Sequence, residues 1–313
     1  MNPDYQTYIN EMKKANPKDF FLEHGFFIWQ NIFTPELLLE LKQLTISHSR
    51  ISGIKKHFGI RQPHAFKFAP FILKIFAEEK MINSLNHFFN ESEWFITNHA
   101  DLHTNALSGW HKDDGMSYGN GGYFNAPSYK VNDTQVYKVA IYMQDHDIFQ
   151  DGLTVIPKSH HDVDITPKKS KLHLETRIGD VIIFDPRLSH TGQLHCFPKP
   201  ISDKGRMLID NENIENNIIG TTPGCPNEKM IIDKYRNVMG FRNSIFFTVA
   251  SHSDLSHTFI INNMKRQLSE LSHSVSADIG KYQIEMINSF NINNVEKYQF
   301  FNDEFNLPSE LLG

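Results

Sequence analysis

Residues 179–192 read Gly-Asp-Val-Ile-Ile-Phe-Asp-Pro-Arg-Leu-Ser-His-Thr-Gly. A turn at Gly179-Asp180 leads into an apolar, β-branched run, and a histidine, His190, stands beyond its far end. Runs of the same kind lie at Trp94–His103, Gln135–Gln144, Leu153–Ile156 and Phe241–Ala250, separated by Gly, Pro, Asn and Asp. Short strands punctuated in this way indicate an antiparallel sandwich or barrel.

Outward from this middle the pattern turns helical. Asn16-Pro17 opens a short helix with an Asn cap and Pro in the first turn, and Gly25 ends it. Phe26–Phe33 is β-prone. Thr34-Pro35 starts a second helix, with Leu37, Leu38, Leu41 and Leu44 at helical spacing, and another helical stretch runs from about Pro70 to Phe89. The tail after Ser256 is helical again. The expected organisation is one domain over 1–313, mainly β with helical flanks. Its helical N-terminal part covers about 1–92, its strand core about 93–255 with an irregular insertion at about 194–240, and its helical tail about 256–313.

Composition bounds the function. The chain has 313 residues, 40% of them apolar, with 25 Phe, which is ample for a core. A net charge of -5 argues against a nucleic-acid binder. No run approaches the length of a membrane span, and the first residues lack a signal-peptide pattern. Cys196 and Cys225 are the only cysteines and fit a reducing compartment, so a cytoplasmic location is expected. There are 17 histidines, the usual metal-ligating and proton-transferring side chain.

Three elements carry the chemistry. In Trp110-His111-Lys112-Asp113-Asp114-Gly115, an extended backbone projects His111 and Asp113 to the same side. His190 follows the Val181–Phe184 run. In Phe241-Arg242-Asn243-Ser244, Arg242 and Ser244 share a side of an apolar strand, and a buried arginine seeks an anion, its planar fork suiting a carboxylate. Each element alone is commonplace. In this order they supply two histidines and a carboxylate, the facial triad of non-haem Fe(II) oxygenases, followed by a cation for a carboxylate-bearing cosubstrate.

The combination resembles the phytanoyl-CoA dioxygenase family of Fe(II)/2-oxoglutarate enzymes, from about Phe20 to Ala250. Phe21-Leu22-Glu23-His24-Gly25-Phe26 is similar to its N-terminal start. Trp110–Asp113 is similar to its metal motif, and Gly179–His190 with Gly192 to its distal-histidine strand. Asp151-Gly152-Leu153-Thr154-Val155-Ile156-Pro157-Lys158-Ser159-His160 is similar to its Asn-Gly…Pro-Gly-Ser-His segment, with Lys158 where the pattern has Gly. The resemblance implies a double-stranded β-helix (a cupin-like jelly roll), Fe(II) on His111, Asp113 and His190, and 2-oxoglutarate held by Arg242 and Ser244. The resembled pattern places its arginine sooner after the distal histidine, so Arg206 is the runner-up. His160 and His161 read as structural or substrate-facing.

The implied activity uses O2 and 2-oxoglutarate to hydroxylate an aliphatic C–H of a small metabolite. Asp113 completes the triad that related halogenases break, which favours hydroxylation and leaves desaturation or ring formation as alternatives. The substrate classes open are fatty acyl-CoA, amino-acid derivatives, phosphonates and acidic sugars such as the Kdo of lipopolysaccharide. A slight basic excess over Lys158–Arg177 leans towards an anion. The alternatives are a cupin-like metal protein with non-oxidative chemistry, such as an isomerase, and a non-catalytic binding module. The insertion, with Ile214, Ile218 and Ile219, is expected to form a lid over the iron site. The oligomeric state is not specified by the sequence.

Overall fold

The computed structural model describes residues 3–56, 59–106, 108–116, 121–146, 152–163, 170–192, 240 and 242–270. The expected lid, Arg206 and the tail beyond 270 lie outside the described residues, as does Asp151.

Helices come first along the chain: α1 (Pro3–Met12), α2 (Pro17–His24), α3 (Pro35–Ser49), α4 (Ala65–Phe68), a 3₁₀ segment at Pro70–Ala77, and α5 (Glu79–Phe88). A last helix, α6 (Asp254–Glu270), follows the strands. Their ends follow local chemistry. The Asn16 side chain accepts hydrogen bonds from the N–H groups of Lys18 and Asp19, and Pro17 occupies the first turn. Gly25 ends α2 in the left-handed region at φ 84, where a Cβ would lie 2.6 Å from His160 Nδ1. Thr34 Oγ1 caps α3 through the N–H of Leu37. The single helix expected over 70–89 is split at Glu78, whose backbone is extended. The 3₁₀ segment before it buries Ile72, Leu73, Ile75 and Phe76 because α3, α4 and α5 all pack around it.

The strands are β1 (Phe26–Trp29), β2 (Ile54–Lys56), β3 (Gly59–Pro63), β4 (Phe95–Thr104), β5 (Ser108–His111), β6 (Val136–Tyr142), β7 (Leu153–Val155), β8 (Leu172–His173), β9 (Val181–Phe184), β10 (His190–Gly192) and β11 (Asn243–Ala250). They form a seven-stranded sheet in the order β1-β9-β6-β11-β4-β3-β2 and a four-stranded sheet in the order β5-β10-β7-β8. All pairings are antiparallel.

Strand periodicity divides the large sheet into two unlike faces. Val139, Ile141, Ile245, Phe247, Val249, Ala100 and Leu102 form the face covered by helices, where Phe247 meets the rings of Phe66 and Phe76. On the other face register sets Ser244 opposite Tyr142 and His103, Phe246 opposite Ala140 and Asp101, and Thr248 opposite Lys138. That face turns polar towards β4 and stays apolar at β9, where Ile182 and Phe184 join a core shared with Leu153, Val155 and Leu172 of the small sheet. Among the described residues no helix is long and apolar enough to cross a membrane.

Burial also sets an acid limit. His64 and His160 are fully buried, and burial pushes each down to about 4 from the ordinary histidine value. Unfolded, both titrate near 6.5, so below that pH the unfolded chain binds more protons than the folded one. Stability is therefore complete above about pH 6.5 and falls as the pH drops towards 4, by up to about 1.4 kcal/mol per pH unit for each group. Urea midpoints at several pH values are expected to drop steadily from pH 7 to pH 5. A flat profile would contradict this assignment.

Candidate metal centre

The centre is assembled where β5 ends and β10 begins. Antiparallel pairing of these strands sets His190 directly opposite His111, with ring centroids 4.2 Å apart. Asp113 follows one turn beyond β5, and its N–H donates to the Pro186 carbonyl at 2.7 Å, which fixes it beside the chain entering β10. His111 Nε2 lies 3.5 Å from Asp113 Oδ1, and His190 Nε2 lies 3.8 Å from Asp113 Oδ2. One ligand atom from each of the three residues falls within 4.8 Å of the others, a spacing that one metal ion can bridge.

The protonation pattern suits ligation. His190 Nδ1 lies 2.8 Å from the Leu188 carbonyl, which can only accept. The proton therefore sits on Nδ1, and Nε2 presents its lone pair to the centre. Burial first, and then His111, pushes His190 down to about 3, so it is neutral at physiological pH. Burial opposes the charge on Asp113, but Lys138 and the two histidines outweigh it and hold the carboxyl well below the usual carboxylate range. The donor set is thus two imidazoles and an ionised carboxylate, which fits Fe(II).

Two clamps hold the ligand-bearing segments. Lys112, between His111 and Asp113 in sequence, is buried and donates to the Ser159 carbonyl at 2.7 Å and to the Arg187 carbonyl. Burial lowers its amine to about 8. Arg187 is fully buried, pairs with both oxygens of Asp185, and donates to the carbonyls of Ser128, Val131 and Asn132. Ser159 Oγ accepts from the N–H of Ser189, adjacent to His190. The segment similar to Pro-Gly-Ser-His is thus a brace for both ligand strands. Lys158 adopts the left-handed conformation, φ 66, at the position where the resembled pattern carries Gly. His160 is structural, with Nε2 on the Leu22 carbonyl.

Arg242 and Ser244 lie at the start of β11, on the face of the large sheet that also carries Lys138. Arg242 is buried and donates to the Ala106 carbonyl at 2.5 Å and to the Tyr142 hydroxyl at 3.2 Å, both neutral acceptors. It packs against Gly192, where a Cβ would come within 3.1 Å of its Nη2. Gly192 is two residues beyond His190, about 7 Å along an extended strand. Ser244 Oγ is fully buried and has no hydrogen-bond partner among the described residues. An arginine beside an orphaned hydroxyl, one short strand from the histidine pair, is a pair chemically able to receive a carboxylate.

Sequence reasoning missed the polar cluster behind the ligands. Lys138 Nζ is 3.4 Å from Asp113 Oδ2 and 3.3 Å from His99 Nε2, and Asp101 Oδ2 is 3.4 Å from the same His99 nitrogen. The signals were a lysine inside the apolar run Val136–Tyr142, and His99, Asp101 and His103 at alternate positions of β4.

No family model and no curated relative matches the sequence. Among solved structures, the chain is similar to HygX from Streptomyces hygroscopicus with nickel, 2-oxoglutarate and hygromycin B bound, at 11% identity over 75% of this chain and 86% of that one, TM-score 0.48. It is similar to the non-haem α-ketoglutarate-dependent carbocyclase SnoK from nogalamycin biosynthesis, at 10% identity over 77% and 85%, TM-score 0.49. A third is EctD from S. alaskensis with 2-oxoglutarate and 5-hydroxyectoine, at 13% identity over 74% and 73%, TM-score 0.45.

The Lys112 clamp has a measurable consequence. Lys112→Met leaves two buried carbonyls without their donor and is expected to cost about 1–3 kcal/mol on urea unfolding. His111→Ala, one residue away and half-exposed, is expected to cost much less. Equal losses would contradict the bracing role.

Proposed function

We propose that this chain is a non-haem Fe(II)/2-oxoglutarate-dependent oxygenase of the phytanoyl-CoA dioxygenase type, with His111, Asp113 and His190 as its metal ligands. The observation that carries the reading is the convergence of these three side chains within ligand distance, from two paired strands and the turn that follows the first of them. Strand order supports the finer fold assignment, a double-stranded β-helix. From β4 to β11 the chain alternates between the two sheets at every step except β7 to β8.

In this reading Arg242 binds the distal carboxylate of 2-oxoglutarate and Ser244 donates its otherwise unpartnered hydroxyl to it. The Arg242 guanidinium carbon lies over the Tyr142 ring, 5.1 Å from its centre, and Nη2 donates to the Tyr142 hydroxyl. When bound, Fe(II) would activate O2, the oxidant, with oxidative decarboxylation of 2-oxoglutarate supplying two of the four electrons that O2 takes up and the substrate C–H the other two. The protein's own residues would hold the ion and orient the cosubstrate. His190 stays neutral and Asp113 stays ionised, so neither of these two holds a competing proton at its metal-facing atom near neutral pH. Retention of Asp113 leaves no vacated ligand position for a halide and favours hydroxylation of an aliphatic C–H in a small metabolite.

Anaerobic titration of the apoprotein with Fe(II) and then 2-oxoglutarate tests this directly. The weak visible charge-transfer band of an iron-bound 2-oxo acid is expected with the wild type and is expected to vanish with His111→Ala or His190→Ala. A metal protein with non-oxidative chemistry would bind the ion without that band, and a non-catalytic module would bind neither.

Cosubstrate binding gives a second test. Arg242→Ala removes a buried, charge-assisted contact and is expected to cost about 2–5 kcal/mol. That is roughly 30-fold to several-thousand-fold weaker 2-oxoglutarate binding. Unchanged binding in Arg242→Ala, with loss in Arg206→Ala, would move the role to Arg206.

A further inference from the structure

We propose that Lys138 is a positioning residue for the metal centre, holding one oxygen of Asp113 so that the other is presented to the ion. The proposal rests on the metal-site reading above and goes beyond it by assigning a residue outside the ligand set.

The first support is the position of Lys138 in the fold. It lies mid-strand in β6, flanked by Tyr137 and Val139, and is only 5% exposed. Moving an ammonium group out of water costs several kcal/mol unless partners compensate. Burial accordingly lowers its amine from the ordinary lysine value, while Asp113 and Asp101 act in the opposite direction. Such a cost at the centre of the large sheet is worth bearing only for what the ammonium group meets there.

What it meets is asymmetric. Lys138 Nζ approaches Asp113 at Oδ2, 3.4 Å away, an oxygen that also lies 3.8 Å from His190 Nε2, whereas Asp113 Oδ1 faces His111 Nε2 at 3.5 Å and, among the described residues, has no lysine beside it. The two carboxylate oxygens therefore have different neighbours before any ion arrives. The ammonium group is itself fixed from behind. His99 Nε2 stands 3.3 Å from Nζ, and His99 Nδ1 is held by Thr248 Oγ1 at 3.0 Å. Register places Thr248 directly opposite Lys138 on β11, so the support is built into the strand pairing. A side chain of the seven-stranded sheet thus orients a carboxylate borne by the turn after β5. Partners of metal-ligating carboxylates do this generally, and removing one typically weakens metal binding by about 10–100-fold.

A purely structural lysine would also lie buried against an aspartate, so the test separates the two roles. Apoprotein is titrated with Ni(II) by calorimetry, and 2-oxoglutarate is then titrated into the nickel-saturated protein. Lys138→Met keeps the length and removes the charge. It is expected to weaken Ni(II) binding about 10–100-fold and to leave 2-oxoglutarate binding to the saturated protein within threefold, because Arg242 and Ser244 are untouched. Should Lys138→Met fail to fold, Thr248→Val unpins His99 without removing a charge. It is expected to weaken Ni(II) binding severalfold in the same direction. Unchanged or tighter Ni(II) binding in the folded variant would overturn the positioning role, as would a parallel loss of nickel and 2-oxoglutarate affinity. A wild-type protein that binds no Ni(II) would instead overturn the metal-site reading itself.

Discussion

The pairing of β10 with β5 is the constraint on which the centre depends. Histidines far apart in sequence become immediate neighbours because His190 and His111 are register partners. A slip of one residue would turn one ring to the opposite face of the sheet and abolish the site. The register is secured outside the strands. The buried Arg187–Asp185 pair shapes the turn that delivers His190, and Lys112 ties β5 to that turn and to the Ser159 segment. Breaking a buried pair by removing one partner costs about 3–5 kcal/mol, so the turn has little freedom.

A second constraint follows from where polarity is put. In an ordinary sandwich the faces between the sheets are apolar and the outer faces meet water. Here the helices cover the outer face of the large sheet with Phe66, Phe76 and their neighbours, which leaves part of the inner face available for charge. His99, Asp101, Lys138, Arg242 and Ser244 all occupy it. Such groups are tolerated in a low-dielectric interior only when they satisfy one another or a ligand. The N-terminal helices therefore serve the chemistry indirectly: they supply the hydrophobic core that a polar face cannot.

Much of this was legible in the sequence. Asn16-Pro17, Gly25 and Thr34-Pro35 fixed helix ends through local capping, which needs no tertiary information. The strands at 95–104, 136–142, 181–184 and 243–250 were marked by dense β-branched and aromatic residues. The three proposed ligands were found because their chemistry is tied to short spacings and to chain order. The split at Glu78 was invisible because apolar spacing alone does not distinguish a 3₁₀ turn packed on several sides from an α-helix. β2 and β3 were missed because Ile54–Lys56 and Gly59–Pro63 carry Lys, Arg, Gln and Pro, and they form strands only because the edge of β4 offers β3 a partner and β3 in turn offers one to β2. Lys138 and His99 escaped notice for the same kind of reason. Their meaning comes from strands that meet only after folding.

The central claim is that this fold exists to bring two imidazoles and one carboxylate onto a single ion. X-ray absorption at the iron edge of the Fe(II)-loaded protein reads that set directly. The account predicts two imidazole ligands with the remaining coordination from oxygen, falling to one imidazole in His190→Ala. A wild-type spectrum with fewer than two imidazoles, or with sulfur in the first coordination sphere, would contradict it.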